Sequence, residues 1–315
     1  MSIHISVIIP NYNHARFLQQ RIETVLCQSY QNFELIILDD ASTDNSKDII
    51  ETYRYHPKVS HIIYNSVNSC STFKQWNKGI ELASGKYIWI AESDDYADCE
   101  FINTCMTKML ADDTIGLVYT DSTEINENNA PLGRWSRWME YLDINLWQAD
   151  FELDGREINS KYNHIICAIP NASCSVFKKS AYLNTPFVKL IENLRFTGDW
   201  WTWFSLMQES RVYYCHLPLN YFRYHAHTTR SNVNARLVKV KELYRAILKF
   251  KKMVDAHPDK NIRQKRLSEI YAIWNPSLRH FFIKENMEVL KLALSCDAKV
   301  PYKLFRTVLK RLNAV

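Results

Sequence analysis

At 315 residues and 47% apolar content the chain can bury one large core or two modest ones, and no apolar run approaches the roughly 20 residues of a membrane-spanning helix. The net charge of +5 hides an asymmetry, because residues 236–315 hold 19 lysines and arginines against 7 acidic residues while the remainder holds 20 against 27. The few glycines, at 79, 85, 116, 133, 155 and 198, build neither Gly-x-Gly-x-x-Gly nor a P-loop, which argues against a Rossmann dehydrogenase or a Walker-type NTPase.

The first strand-like run, Ile5 to Ile9, begins too early for a signal peptide, so the chain is expected to start inside the cell. It stops at Pro10, and Asn11 to His14 reads as a loop. Phe17, Ile22, Val25 and Leu26 then fall at helical spacing. Phe33 to Leu38 is a second strand, followed by Asp39-Asp40-Ala-Ser-Thr-Asp44, where Ser42 or Thr43 can cap a helix over about 45–55. Val59 to Tyr64 is a third strand. Residues 72–84 make a helix that Gly85 ends as a C-cap. Tyr87 to Ala91 is a buried strand that runs straight into Glu92, Asp94 and Asp95. A helix over 99–110 and a strand over 116–120, closed by Asp121, complete the pattern.

Strands and helices thus alternate, which predicts a mostly parallel α/β sheet with its ligand site beyond the strands' carboxyl ends. Asn11 to Asn13, Asp39-Asp40, Asn65 to Asn68, Glu92 to Asp95 and Asp121 all fall at that edge. Three carboxylates at a strand end are costly without a positive partner, and a hard divalent cation holding phosphate oxygens is a natural one. An exposed acidic turn is the plain alternative.

Residues 125–165 are loop-rich, with Trp135, Trp138 and Trp147 beside Arg134 and Arg137, either a sugar-stacking surface or irregular core. A short strand and helix over 171–184 precede Thr197-Gly198-Asp199-Trp200-Trp201, which opens a helix running to about 209. Asp199 in its first turn suits the helix dipole, whatever else it does. Two strands, 211–215 and 218–224, end in Arg223-Tyr224-His225. Helices are expected over about 234–255, 260–283, 285–296 and 302–313. The last is basic and amphipathic, with Lys303, Arg306, Lys310 and Arg311 opposing Leu304, Phe305, Val308 and Leu309. It suits an anionic membrane surface or packs on its own domain. Eight cysteines show no Cys-x-x-Cys spacing, and those in apolar contexts, such as Cys27 and Cys215, read as small hydrophobes of a reducing compartment.

Four blocks together carry a resemblance: Ser-Val-Ile-Ile-Pro-Asn-Tyr-Asn (6–13), Leu-Asp-Asp-Ala-Ser-Thr-Asp (38–44), Trp-Asn-Lys-Gly-Ile-Glu-Leu-Ala-Ser-Gly-Lys-Tyr-Ile (76–88) and Ala-Glu-Ser-Asp-Asp (91–95). In this order and spacing the chain resembles a family 2 glycosyltransferase of the bacterial surface-polysaccharide type. The likeness continues more weakly through Thr197-Gly198-Asp199-Trp200 and Arg223-Tyr224-His225, and stops near 235. It implies a GT-A fold, Rossmann-like, to which the helices read beyond residue 234 add an all-helical basic extension. The implied division is a catalytic domain over 1–235, with nucleotide-sugar binding in 1–125 and the acceptor side in 126–235, followed by a helical region over 236–315.

The resemblance also implies roles. Pro10, Tyr12, Asp39 and Asp40 would flank the base and ribose of a nucleotide-diphospho-sugar, UDP by default. Asp95 would bind Mn²⁺ or Mg²⁺ on the diphosphate, with Glu92 in the place of the family's first acid. Asp94 would reach the ribose or a metal-bound water, and His225 would lie near the diphosphate as ligand or hydrogen-bond donor. Asp199 would be the general base for the acceptor hydroxyl in an inverting transfer. Lys74 is a candidate phosphate contact or a solvated lysine, and His227 and Arg230 are candidates for the diphosphate or plain loop residues. Trp200, Trp201 and Trp203 are candidates for an acceptor-sugar platform, or for core, since 200 and 203 share a helix face. A saccharide or lipid-linked acceptor and a cytoplasmic location, peripheral on the inner membrane face if the basic helices dock there, complete the expectation. No nucleic-acid motif accompanies the charge, so no such partner is expected. The rivals are transfer to a polyprenyl phosphate and a non-catalytic nucleotide-sugar binding protein.

Overall fold

A computed structural model describes residues 4–140, 142–225, 235–254, 259–280 and 282–312. In chain order the first half runs β1 (Ile5–Asn11), α1 (Ala15–Leu26), β2 (Phe33–Asp39), α2 (Ser46–Glu51), β3 (Val59–Tyr64), α3 (Thr72–Leu82), β4 (Tyr87–Ile90), β5 (Tyr96–Ala97), α4 (Phe101–Ala111), β6 (Ile115–Asn126), β7 (Pro131–Arg134) and β8 (Phe151–Asp154). The second half runs α5 (Gly155–Ile158), β9 (Ser175–Lys178), α6 (Lys179–Leu183), α7 (Val188–Ile191), α8 (Gly198–Glu209), β10 (Arg211–Tyr224), α9 (Arg236–Met253), α10 (Lys260–Trp274), α11 (Lys284–Cys296) and α12 (Val300–Leu312).

The main path of the sheet has the order β3-β2-β1-β4-β9-β6-β10-β5, with β7 added on β6 and β8 on β10. β1 is parallel to both β2 and β4, β2 to β3, and β6 to β10. β9 runs antiparallel between β4 and β6, so the fifth parallel strand of the sequence does not lie beside the fourth. The architecture is the expected one, a mostly parallel mixed sheet flanked by helices.

Strand periodicity divides the core. Val7, Ile9, Leu35 and Ile37 face α1, α2 and α4, where Leu18, Ile22, Val25, Ile50 and Met106 close one layer. Ile8, Ile36, Leu38, Ile88 and Ile90 face the other way, onto Phe73, Trp76 and Ile80 of α3 and the apolar side of α8. That second layer continues without a break into the C-terminal helices. Phe250 of α9 stacks on Phe204 with centroids 3.9 Å apart and meets Trp201 and Trp200 edge-on. The change near residue 235 is one of charge, and the apolar core runs across it.

Several local expectations change. Gly85 is not a left-handed cap, since α3 ends at Leu82 and Ala83 turns extended. Its smallness serves a close approach instead, as a Cβ there would lie 2.7 Å from the Ser6 backbone nitrogen. β6 runs on to Asn126, because Arg134 donates to the fully buried Asp121 at 2.8 Å and neutralises it inside the strand. Asp121 therefore does not join the ligand edge. Residues 211–224 form one strand bulged around Pro218, which has no N–H for the ladder. The helix expected over 260–283 stops at Trp274, before Pro276. Cys27 is exposed, while Cys215 is buried as expected. Among the described residues no helix is long and apolar enough to cross a membrane.

Candidate active site

The carboxyl ends of β1, β2 and β4 are joined by side-chain hydrogen bonds, so the convergence of polar clusters inferred from the parallel pattern is physical. Asn11 donates to Asp39 at 2.8 Å, and the Asp39 carboxylate also takes the Ser42 N–H and hydroxyl. Asp40 accepts from Asn65, the Ser69 N–H and Gln75, at 2.6–2.9 Å. Both carboxylates are buried and engaged in holding the loops that surround them. Asn13, Ala41 and Cys70, in these loops, sit at φ of 56°, 61° and 59°. Left-handed backbone at non-glycine residues costs on the order of 1–3 kcal/mol each and gathers at ligand sites. Pro10 does not stop β1 but pairs with Leu38 within it, Asn11 closes the strand, Tyr12 stands half exposed beyond it, and Lys74 reaches the Ser69 carbonyl at 3.2 Å.

The acidic stretch after β4 separates into three environments. Asp94 faces two histidines: His225 Nε2 lies 3.0 Å from its carboxylate, and His14, which hydrogen bonds Ser93, completes a group whose ligand atoms all lie within 4.8 Å of one another. Asp95, expected as the cation's ligand, is not one of these three. Its carboxylate accepts the Arg223 N–H at 2.9 Å and is almost wholly buried. Glu92 accepts from the Trp76 indole at 2.8 Å, and its own N–H donates to Ser173. A tight turn accounts for the split, since the Asp95 N–H donates to the Glu92 carbonyl at 3.2 Å and Ser93 and Asp94 turn away from the line of β4.

Two buried arginines sit behind the acids. Arg21 projects from the apolar face of α1, donates to the Glu92 carbonyl at 2.8 Å and lies over Trp89. Arg223 donates to the Asp94 carbonyl at 2.6 Å and to Asn129 and Gln20, and its guanidinium covers the Phe17 ring. Burial brings Arg21 down to about 10 although Asp95, Asp94 and Glu92 favour its charge. Burial and the charge of Asp94 push Glu92 up to about 8 and raise Asp95 above the usual carboxylate range. For Asp94 burial acts upward but is outweighed by His14 and the His225 hydrogen bond, which hold it low. Asp94 is thus the member of the cluster whose carboxylate faces the histidines. One carboxylate oxygen and two imidazole nitrogens at this spacing fit a single divalent ion, by both distance and donor type.

Asp199 lies in the first turn of α8 and accepts from the Trp200 N–H at 2.7 Å. The helix start abuts α3: a Cβ on Gly198 would come within 2.6 Å of the Phe73 ring, and Phe73 packs against the Trp76 that holds Glu92. Trp200 and Trp201 are core side chains, 2% and 5% exposed, and Trp200 donates to the Asn163 carbonyl. They offer no face to a sugar. Packing of α9 on α8, invisible to local sequence, is the reason. Trp147 is core as well, whereas Trp138 is half exposed, carries the Arg137 guanidinium over its ring and donates to the buried Glu124. His227 and Arg230 lie outside the described residues.

His14, Arg21 and the structural part of Arg223 are additions to the residues that sequence reading selects. Arg21 left a usable trace, a charge at a position where Phe17, Leu18, Ile22 and Val25 are all apolar. His14 left none, because its relation to Asp94 is set by loop geometry.

Against known proteins, residues 6–182, more than half of the chain, match the model of "Glycosyl transferase family 2". The putative teichuronic acid biosynthesis glycosyltransferase TuaG of Bacillus subtilis is 37% identical over 91 residues, 29% of this chain and 36% of that one. The chain spans less than half the length of the first curated relatives it matches. In structure it is similar to S. aureus TarS 1-349 in complex with UDP-GlcNAc, with a TM-score of 0.61 at 16% identity, covering 92% of this chain and 79% of that one. It is also similar to the mannosyltransferase PcManGT of Pyrobaculum calidifontis in complex with GDP-Man and Mn²⁺, at a TM-score of 0.58 and 16% identity, covering 98% and 84%.

Proposed function

The chain belongs to glycosyl transferase family 2, and from that premise we propose that it transfers a sugar from a nucleotide-diphospho-sugar to a saccharide or lipid-linked hydroxyl in surface polysaccharide assembly. The observation that carries this reading is the Asp94–His14–His225 group beside the Asp39–Asp40 loops at one edge of the sheet. The loops at 10–13 and 40–43 form the wall for base and ribose, with Tyr12 the exposed ring and Asp39 and Asp40 shaping the backbone around it. Asp94, His14 and His225 would hold the divalent cation. When bound, that ion neutralises charge on the departing diphosphate, and two imidazoles in the set favour Mn²⁺ over Mg²⁺.

The residues of the chain do the rest. Asp199 takes the proton of the acceptor hydroxyl as its oxygen bonds to the sugar's anomeric carbon, and the bond from that carbon to the diphosphate breaks in the same displacement, inverting the centre. Glu92, pinned by Trp76, and Asp95, pinned by Arg223, fix the strand end that presents Asp94. The half-exposed Trp138, with Arg137 across it, takes the part of acceptor platform that Trp200 and Trp201 cannot. Tyr302, Phe305 and Leu309 form an exposed stripe on α12, and with the basic composition of 236–315 this supports a contact of that side with the anionic inner membrane face. Failure of the protein to sediment with phosphatidylglycerol vesicles at low salt would remove the membrane contact.

The central test is thermal shift with UDP, dTDP, GDP and NAD, each with and without Mn²⁺. A ligand that binds the native state raises the melting temperature by mass action, without need of an acceptor. Metal-dependent stabilisation by one nucleoside diphosphate, lost in Asp94→Ala, is the expected result. No shift with any nucleotide at saturating metal would refute a donor site at this edge.

A further inference from the structure

Glu242 stands on the buried, apolar face of α9, between Leu243, Ala246 and Val240, and is 5% exposed. A carboxylate in such a place is heavily penalised unless donors surround it. Here three consecutive backbone N–H groups from another part of the chain do so. Oε1 accepts from Arg195 at 2.9 Å, and Oε2 accepts from Phe196 at 2.9 Å and Thr197 at 3.1 Å. The Thr197 hydroxyl adds a fourth bond at 3.2 Å. Successive N–H groups converging on one anion form a nest, and this one lies at the positive end of α8, so the charge is favoured twice over.

The segment so held is the one that leads into Asp199. Thr197 caps α8 and its carbonyl receives the Trp201 N–H, while Asp199 is two residues beyond the clasp. On the other side the Leu194 carbonyl accepts from Ser71 at 3.5 Å, two residues beyond the Ser69 that binds Asp40. The segment therefore bridges the donor loops and the helix that carries the candidate base, and its backbone is fixed by a side chain from the basic C-terminal region. We infer that Glu242 is a positioning residue for Asp199, so that α9 contributes to the active site although none of its atoms faces substrate. This rests on the reading of Asp199 as general base. Glutamine at 242 would put an amide NH₂ against backbone donors at one of the two oxygens, losing at least one charge-assisted bond and creating a repulsion.

The experiment compares Glu242→Gln, Glu242→Asp and, as control, Glu288→Gln on α11, which removes the ion pair to Lys241, the neighbour of Glu242 on α9. Amide exchange of the 192–200 peptide is followed together with nucleotide release from UDP-GlcNAc, UDP-glucose or GDP-mannose, whichever the wild type turns over fastest with Mn²⁺. In Glu242→Gln the peptide should exchange about tenfold faster and kcat should fall about tenfold or more, the scale of one charged hydrogen bond, with nucleotide Kd within about twofold. Glu242→Asp should recover part of kcat, and Glu288→Gln should leave it unchanged. Added to Asp199→Asn, Glu242→Gln should cause less than about a twofold further loss, as expected of residues acting as a unit. Asp199→Asn inactive with Glu242→Gln at full turnover would overturn the positioning role alone. Asp199→Asn at full turnover would overturn the base assignment itself. If Glu242→Gln fails to fold, Glu242→Asp carries the same comparison, and unchanged kcat with faster exchange in it overturns the inference.

Discussion

Gly198→Ala probes the joint between the two halves of the candidate site. A Cβ at 198 would lie 2.6 Å from two Phe73 ring carbons and 2.7 Å from a third, where ordinary contact begins at 3.4 Å. The gap to be opened is therefore 3.4 − 2.6 = 0.8 Å. Phe73 is 4% exposed and packed edge-on against Trp76 with centroids 5.0 Å apart, so its ring cannot swing without moving the indole that holds Glu92. Overpacking of this kind costs about 1–3 kcal/mol, while alanine's helix preference returns up to about 1, leaving a net loss of about 1–2 kcal/mol. Activity should suffer more than stability. A shift approaching 1 Å at the start of α8 carries Asp199 with it, and misplacement of about 1 Å can cost around a hundredfold in rate. The assay is a double-mutant cycle of Gly198→Ala with Phe73→Leu, read by urea denaturation and by kcat. The smaller side chain should relieve the clash, so the double variant should be more stable than the sum of the singles by about 1 kcal/mol and should regain turnover. Strict additivity, with kcat of Gly198→Ala near wild type, would refute the claim that this contact positions α8.

Three further outcomes follow from the site and its surroundings. Asp94→Asn and His14→Ala should each weaken Mn²⁺ binding, measured by the spectroscopic signal of the free ion, at least about tenfold, on the scale known for groups that orient or ligate a metal. Asp95→Asn should instead lower stability with Mn²⁺ affinity within a few fold, since its carboxylate is turned to Arg223; equal losses in both would contradict the division of roles. His164 is buried with its Nδ1 on the Asn159 carbonyl, and burial lowers its pKa below the ordinary 6.5. The unfolded chain thus binds the proton first, so stability falls as pH drops below about 6.5, by at most about 1.4 kcal/mol per pH unit, and His164→Asn should flatten that limb in urea melts. Trp138→Ala should raise KM for the acceptor with nucleotide Kd unchanged, and an unchanged acceptor KM would take the saccharide surface away from this region.

Much of the fold was legible because its signal is local. The runs at 5–9, 33–38, 59–64 and 87–91 are apolar and β-prone, and the segments between them carry helical spacing, so a parallel sheet and its ligand edge follow from periodicity. The insertion of β9 was not legible, since antiparallel pairing of residues 175–178 between β4 and β6 depends on contacts some 60–90 positions away in sequence. Trp200 and Trp201 mislead for the same reason. A tryptophan pair at a helix start looks available to a ligand until α9 is laid on it with Phe250 between the rings. Trp138, in a stretch without regular pattern, is the one left facing outward with Arg137 on it.

Within the site, residue type was legible and orientation was not. Glu92, Asp94 and Asp95 announce a charged strand end, but which of them meets a cation depends on what stands behind each. Sequence places an arginine on the apolar face of α1 and another at the end of β10, without saying that both guanidiniums lie behind the acidic stretch and donate to its backbone, Arg21 to the Glu92 carbonyl and Arg223 to the Asp94 carbonyl. Contacts with the surrounding fold remove two of the acids from competition. Asp95 is bound to the Arg223 backbone and Glu92 to Trp76, which leaves Asp94 as the acid that faces His14 and His225. The buried arginines offset part of the cost of gathering three acids at one strand end, and a divalent cation supplied from outside would offset the remainder at Asp94. On this argument the site is built to be completed by its ligand, and the order of the acids in the sequence is less informative than the order in which the fold neutralises them.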